Sequence, residues 1–239
     1  MNTDLLTAVA ENVLFVLEFL GIVLAIFLIA TFIEKVAKKR NNDTERILST
    51  KKVVLIGMLS AVATVLMLFE VPVPFAPSFY KLDLSELPAL VAGFAYGPVA
   101  GIMVEFVKIL LKTVVKGTST AFVGELANFV IGCGLILPAT VIYSFKKNKK
   151  MAMIACVTGT LVISIIGPAF NAVYLLPAFS KLYGMPMEAI IGMGAAINPA
   201  INSVGALVIF CVAPLNFIKG AIDCIITMLI YKPLSRILK

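Results

Sequence analysis

The 239-residue sequence contains no histidine. That absence removes Ser-His hydrolysis, HExxH zinc chemistry and imidazole proton relays from the chemistry open to it. Neither a GxxxxGK(S/T) phosphate loop nor a GxSxG elbow occurs, which excludes nucleotide hydrolysis by the P-loop route and the α/β-hydrolase mechanism. The four cysteines, Cys133, Cys156, Cys211 and Cys224, lie far apart in apolar surroundings without a CxxC, so they read as small core residues and not as metal ligands or a disulfide framework. Charge is scarce too, at 14% of residues, against about 25% in a soluble domain. No enzyme activity, metal or resident cofactor is expected.

What the chain has in abundance is apolar length. It is 61% hydrophobic with a mean hydropathy of +1.05, the composition of an all-α integral membrane protein. The net charge of +7 does not point to nucleic acid, because the lysines and arginines flank apolar runs and form no basic face.

Seven spans are expected: Asn12 to Ile33, Val53 to Phe69, Ser85 to Tyr96, Val99 to Val115, Ala121 to Phe145, Met151 to Leu176 and Ala200 to Tyr231. The first is too long for a signal-peptide core and carries its basic flank (Lys35, Lys38, Lys39, Arg40) behind it. The chain accordingly divides into residues 1–52, a helix plus basic linker, and residues 53–239, a six-helix membrane domain. If the basic stretches Lys35 to Lys52, Lys146 to Lys150 and the tail with Lys232, Arg236 and Lys239 are cytoplasmic, the N-terminus with Asp4 and Glu11 lies outside and the C-terminus inside. The aromatic, proline-rich loop Glu70 to Asp83, the turn near Lys116 and the loop Pro177 to Pro199, with a short helix over Met187 to Ala196, then roof one outer pocket.

Local signals add detail. Ser85 is the expected N-cap of the third span, with Glu86 a dipole-favoured acid in its first turn. Glu105 and Lys108 are one turn apart and expected to pair, while Lys112 and Lys116 can snorkel outward. Gly57 with Ala61, and Ser60 with Thr64, are small-residue pairs that let another helix approach closely in lipid.

The chain concentrates its oddest chemistry late. Asn216, Lys219 and Asp223 are spaced i, i+3 and i+7 in a greasy segment, so on a helix they share a face. A lysine or aspartate at a bilayer centre costs roughly 2.5–3.5 kcal/mol, so that face looks into a bundle or cavity. Two readings stay open: a Lys219–Asp223 pair that locks helices, or a polar ligand site opposite Asn171, with Glu125 and Asn128 on a neighbouring span.

The successive segments EVPVPF (70–75), LDLSELPAL (82–90), YGPVAG (96–101), GELANF (124–129) and PLNFIKG (214–220) resemble the signatures of the riboflavin-specific S components of energy-coupling factor (ECF) vitamin importers. The resemblance runs from about Val53 to Lys239. It implies a six-helix substrate-capture bundle with one extra N-terminal transmembrane helix, binding riboflavin from outside. It also implies a membrane T component and two cytoplasmic ATPases as partners, with ATP used by those partners and not by this chain. Under that reading Asn171, Asn216, Lys219 and Asn128 are ligand-binding, with Asp223 the counter-charge of Lys219. Phe75, Phe79 and Tyr80 cover the ring, and Gly57, Ser60, Ala61 and Thr64 dock on the T component. An S component for another vitamin or FMN, or a stand-alone facilitator, keeps the same topology.

Overall fold

The computed structural model describes residues 13–118, 120 and 122–238, with side chains described from 17 to 231 within that set. The expectations for Asp4, Glu11 and Lys239 therefore lie outside the described residues, as do Ser119 and Ala121 and the first residue of the first expected span, Asn12, and those for Lys232 and Arg236 lie outside the described side chains.

The fold is helical. It comprises α1 (Val13–Arg40), α2 (Thr50–Leu68), α3 (Glu86–Tyr96), α4 (Pro98–Lys116), α5 (Val123–Phe145), α6 (Lys149–Phe170), α7 (Leu176–Leu182), α8 (Met187–Ala195), α9 (Val204–Leu207) and α10 (Ala213–Leu238). Between α2 and α3 the aromatic loop forms a minimal antiparallel hairpin, β1 (Val71–Pro72) on β2 (Lys81–Leu82), with Val71 opposite Leu82. Among the described residues, five helical stretches are long and apolar enough to cross a membrane: Leu17–Arg40, Thr50–Leu68, Val123–Phe145, Lys149–Leu182 and Val204–Tyr231.

Two of the expected seven spans behave differently. The eleven residues of α3 extend about 16 Å at 1.5 Å per residue, half of a hydrocarbon core of about 30 Å, so α3 does not cross by itself. Its partner α4 has the length but buries Glu105 and Lys108. The Gly97 turn joins the two, and its positive φ of 110° suits glycine. Ser85 does occupy the N-cap position of α3, yet its side chain caps nothing there.

Two wide turns interrupt the long outer helices. A π-helical turn over Asn171–Leu175 joins α6 to α7, and another over Val208–Val212 joins α9 to α10. Each ends two residues before a proline, Pro177 after Leu175 and Pro214 after Val212. Proline lacks the N–H an α-helix requires and its ring crowds the carbonyl four residues back; widening the preceding turn relieves both. The disturbance expected at Pro214 takes this form, and the stretch from Pro177, expected as a loop, continues as helix to Leu182.

The extra N-terminal helix is woven into the bundle. Phe19 and Phe27 pack edge-on against Phe129 of α5 and Phe106 of α4. Glycine cannot supply a side-chain cap at Gly97, and Glu34 of α1 reaches across to accept the Val99 N–H at 2.9 Å. Asn41 donates to the Ser144 carbonyl near the end of α5 at 2.8 Å, and Arg40 lies over the Phe145 ring. At the same end Phe94, Tyr143 and Tyr231 close α3, α5 and α10 together, with the Tyr231 hydroxyl donating to the Phe94 carbonyl.

The two small-residue pairs of α2 part company. Ser60 and Thr64 turn inward, and Thr64 Oγ1 donates to Ser60 O and to Lys108 O of α4. Gly57 and Ala61 turn outward, and a Cβ on Gly57 would meet nothing within 4 Å.

Candidate functional site

The hairpin loop, the α4–α5 turn and the α7–α8 segment converge over one cavity of about 590 Å³. Its wall includes Phe79, Tyr80 and Lys81 from the first, Gly117 and Thr120 from the second, and Phe179, Tyr183, Met185, Ile190 and Met193 from the third. Asn128 and Ile131 of α5, Asn171 and Leu175 of the first π turn, and Val212, Leu215, Asn216 and Lys219 beside and beyond the second complete it. Both wide turns thus place their side chains on the same space, as π segments often do at functional sites.

Six of the eight sequence-predicted ligand residues line this cavity: Asn171, Asn216, Lys219, Asn128, Phe79 and Tyr80. Two do not. Phe75 packs into the apolar roof with Leu176, Leu207 and Cys211, and its carbonyl accepts from the Cys211 thiol. Asp223 is wholly buried behind the wall, forms no ion pair with Lys219, and leaves both carboxylate oxygens without a hydrogen-bond partner.

The partners of Lys219 come from the other end of the sequence. Its Nζ lies 3.2 Å from Asp83 Oδ2 and 2.8 Å from Glu86 Oε2. Glu86 also pairs with Lys108 at 3.1 Å, and Lys108 with Glu105 at 2.8 Å, the pairing expected within α4. The result is a chain of alternating charge, Asp83, Lys219, Glu86, Lys108, Glu105. The Ser85 hydroxyl accepts from Lys108 at 2.7 Å, which is why it does not cap α3, while Asp83 Oδ1 accepts the Ser85 N–H. The signal that could have found these partners was the pair Asp83 and Glu86 ahead of a buried proline; nothing local tied them to Lys219, 136 residues on from Asp83.

The asparagines are held from behind. Each donates through its amide nitrogen to the carbonyl four residues earlier: Asn128 to Gly124, Asn171 to Gly167 and Asn216 to Val212. Asn171 Oδ1 also accepts from the Tyr80 hydroxyl at 3.0 Å, tying the aromatic loop to the cavity floor. Gly167 permits the arrangement, because a Cβ there would overlap the Asn216 amide.

The rim is a second set of charges. Glu70 Oε1 accepts from Lys81 at 2.7 Å and from Lys116 at 2.8 Å, clasping the hairpin to the end of α4. Glu125 meets Lys112 at 3.4 Å and accepts from the Thr118 and Thr120 hydroxyls, both at 3.0 Å. Burial alone would raise the Glu70 carboxyl, but hydrogen bonds from Lys116 and Lys81 outweigh it and hold the group below its usual range. A depressed carboxylate contributes its full stabilisation above its free value, about 4.3, and loses it as pH falls through the lowered one. The protection factors of the amides in the loop spanning 70–83, with the intrinsic pH dependence of exchange divided out, should therefore stay constant from pH 7 to about 4.5 and fall below that. A fall already between pH 7 and 6 would mean that Glu70 is not the clasp.

Comparison with known proteins places this architecture among transport components. The family model for the substrate-specific component of ECF transporters matches residues 51–231. The riboflavin transporter RibU of Staphylococcus aureus (strain TCH60) is 33% identical over 189 residues, which is 79% of this chain and 93% of that protein. The riboflavin transporter FmnP of Bacillus subtilis (strain 168) is 32% identical over 185 residues, covering 77% and 92%. Among solved structures, the S component of a bacterial ECF transporter aligns with a TM-score of 0.62 and 35% identity over 79% of this chain and 98% of its own.

Proposed function

The chain belongs to the family of substrate-specific components of ECF transporters, and on that premise we propose that it captures riboflavin at the outer face of the membrane for ATP-driven import. It is a transport subunit and not an enzyme. The observation that carries the substrate is the cavity itself. Riboflavin joins an apolar dimethylbenzene end to a pyrimidine edge of carbonyls and one N–H, and bears a chain of hydroxyls without net charge. The cavity offers aromatic and aliphatic walls with a few convergent polar groups, Asn171, Asn216, Asn128 and Lys219, the pattern of small-molecule sites. The amides present both donors and acceptors, and Lys219 presents donors. Phe79 and Tyr80, with ring centroids 4.5 Å apart, are placed to cover a flat ligand. The test is titration of the purified protein with riboflavin. Quenching of flavin fluorescence on binding supports the reading; a titration without quenching sinks it.

In this reading residues 53–239 are the substrate-binding domain, residues 1–52 an added helix and linker, and the cavity opens outward, with the N-terminus outside and the C-terminus cytoplasmic. The partners are a membrane T component and two ATPases. The outward face of α2, with Gly57 and Ala61 among exposed Val53, Val54, Met58, Val62 and Val65, is the docking surface we assign to the T component. Because a side chain at Gly57 meets open space, Gly57→Leu should leave riboflavin titration unaltered and abolish co-purification with the T component. Retained co-purification in Gly57→Leu and Ala61→Leu alike would move the docking face elsewhere.

A further inference from the structure

We propose that Glu125 is a specificity-determining residue that holds the cavity to an uncharged flavin, by occupying the donors that a phosphoryl group would otherwise take. The inference rests on the riboflavin reading and extends it to the 5′-phosphate, FMN.

Lys112, the Thr118 and Thr120 hydroxyls and the first turn of α5 converge at the rim of the cavity. An ammonium, two hydroxyl donors and the N-terminal end of a helix are together the chemistry that binds an oxyanion. Here an oxyanion already sits among them, and it belongs to the protein. Glu125, 2% exposed, takes both hydroxyls through Oε2 and faces Lys112 through Oε1. Gly124 beside it leaves room for the Thr120 hydroxyl, which a Cβ at that position would crowd.

The rest of the wall follows the same rule. Among the described residues, four carboxylates and four lysines line the cavity, so its lining is neutral as a whole. Every one of those lysines has a carboxylate within 3.4 Å: Lys112 has Glu125, Lys81 and Lys116 share Glu70, and Lys219 has two. A phosphoryl group brings a charge of about −1.5 to −2 at neutral pH. It would find every lysine already engaged by a carboxylate and meet Glu125 and Glu70 as like charges, whereas riboflavin adds no charge and disturbs no pair.

The test titrates riboflavin and FMN separately into the purified full-length protein and reads the ratio of their dissociation constants. The wild-type protein should favour riboflavin by about tenfold or more, and Glu125→Gln should narrow that ratio by about tenfold, the worth of one or two hydrogen bonds to a charged group. Adding Lys112→Met to Glu125→Gln should restore the wild-type ratio, because the freed ammonium is what the phosphate gains. Equal wild-type affinities, or a ratio unchanged in a Glu125→Gln protein that still binds riboflavin, would overturn the inference. If Glu125→Gln binds no flavin, Glu70→Gln at the more exposed rim frees Lys116 and must narrow the ratio in the same sense; an unchanged ratio there overturns the inference as well. A wild-type protein that quenches neither flavin removes the riboflavin reading and this inference together. A normal riboflavin titration with a fixed ratio removes this inference alone.

Discussion

Replacing Lys219 with methionine is expected to abolish measurable riboflavin capture and to destabilise the protein by about 3–5 kcal/mol, the cost of breaking a buried ion pair from one side. Methionine lacks only the terminal ammonium of the unbranched side chain and keeps its apolar packing, so the loss is electrostatic. Asp83 loses the ammonium 3.2 Å away, and Glu86 is left with Lys108 alone. Because Asp83 follows the hairpin directly, its release also loosens the loop that carries Phe79 and Tyr80 over the cavity. Asp223→Asn should behave in the opposite way. That carboxyl is fully buried with both oxygens unpartnered, so it has no ion pair to lose; an amide of the same shape should be close to neutral for stability and leave riboflavin affinity unchanged. Thermal stability and flavin titration of the two variants decide the matter. Equal damage from both would restore Asp223 as the counter-charge of Lys219.

The second large effect is expected from a methyl group that touches no ligand. Gly167→Ala places a Cβ within the space of the Asn216 amide, and in a packed helix pair neither backbone yields easily. Asn216 must leave the position in which Val212 O holds it. Riboflavin affinity should fall by ~1–3 kcal/mol, the cost of a lost polar contact that leaves its partner unpaired, or roughly 10- to 100-fold. Asn216→Ala should lose a similar amount. The combination should lose no more than either alone, since both remove one interaction. Additive losses in the double variant would show that Gly167 acts by some route other than Asn216.

Much of this site was readable from the chain. Charge and amide groups in an apolar segment are costly enough to mark Asn171, Asn216 and Lys219 without any structure, and the basic flanks and proline-rich loops defined the membrane segments and the roof. What could not be read was which way each helix faces a distant one. Asp223 was the only acid within a turn of Lys219, so local spacing favoured it. The true partners, Asp83 and Glu86, arrive through the packing of α3 against α10, which a period of 3.6 does not encode. The same blindness joined Ser60 and Thr64 to Gly57 and Ala61, although the two pairs face opposite sides of α2. In the aromatic loop no periodicity exists to separate Phe79 and Tyr80, on the cavity wall, from Phe75, in the roof. Pro177 reads as a helix end because proline usually is one; here the wide turn before it accommodates the missing N–H and the ring, and the helix runs on.

The two π turns have a consequence for how this chain compares with its relatives. A π turn is an α-helix holding one residue more than its length requires. Everything beyond it is rotated by about 100°, the angle of one helical residue. Asn171 enters the first wide turn in register with α6, and Asn216 lies beyond the second in register with α10, so the additional residue sets how α7 and α9 are rotated relative to the two asparagines. A protein that evolved the same helices without it would align with a gap of a single position near 172–175 or 208–211. Its asparagines would stay in place, but its α7 or α9 would turn a different face toward them even where the letters match. Loss of one residue in either stretch, harmless to hydropathy, would therefore re-aim the roof of the cavity, Phe179 of α7 included, without touching the asparagines.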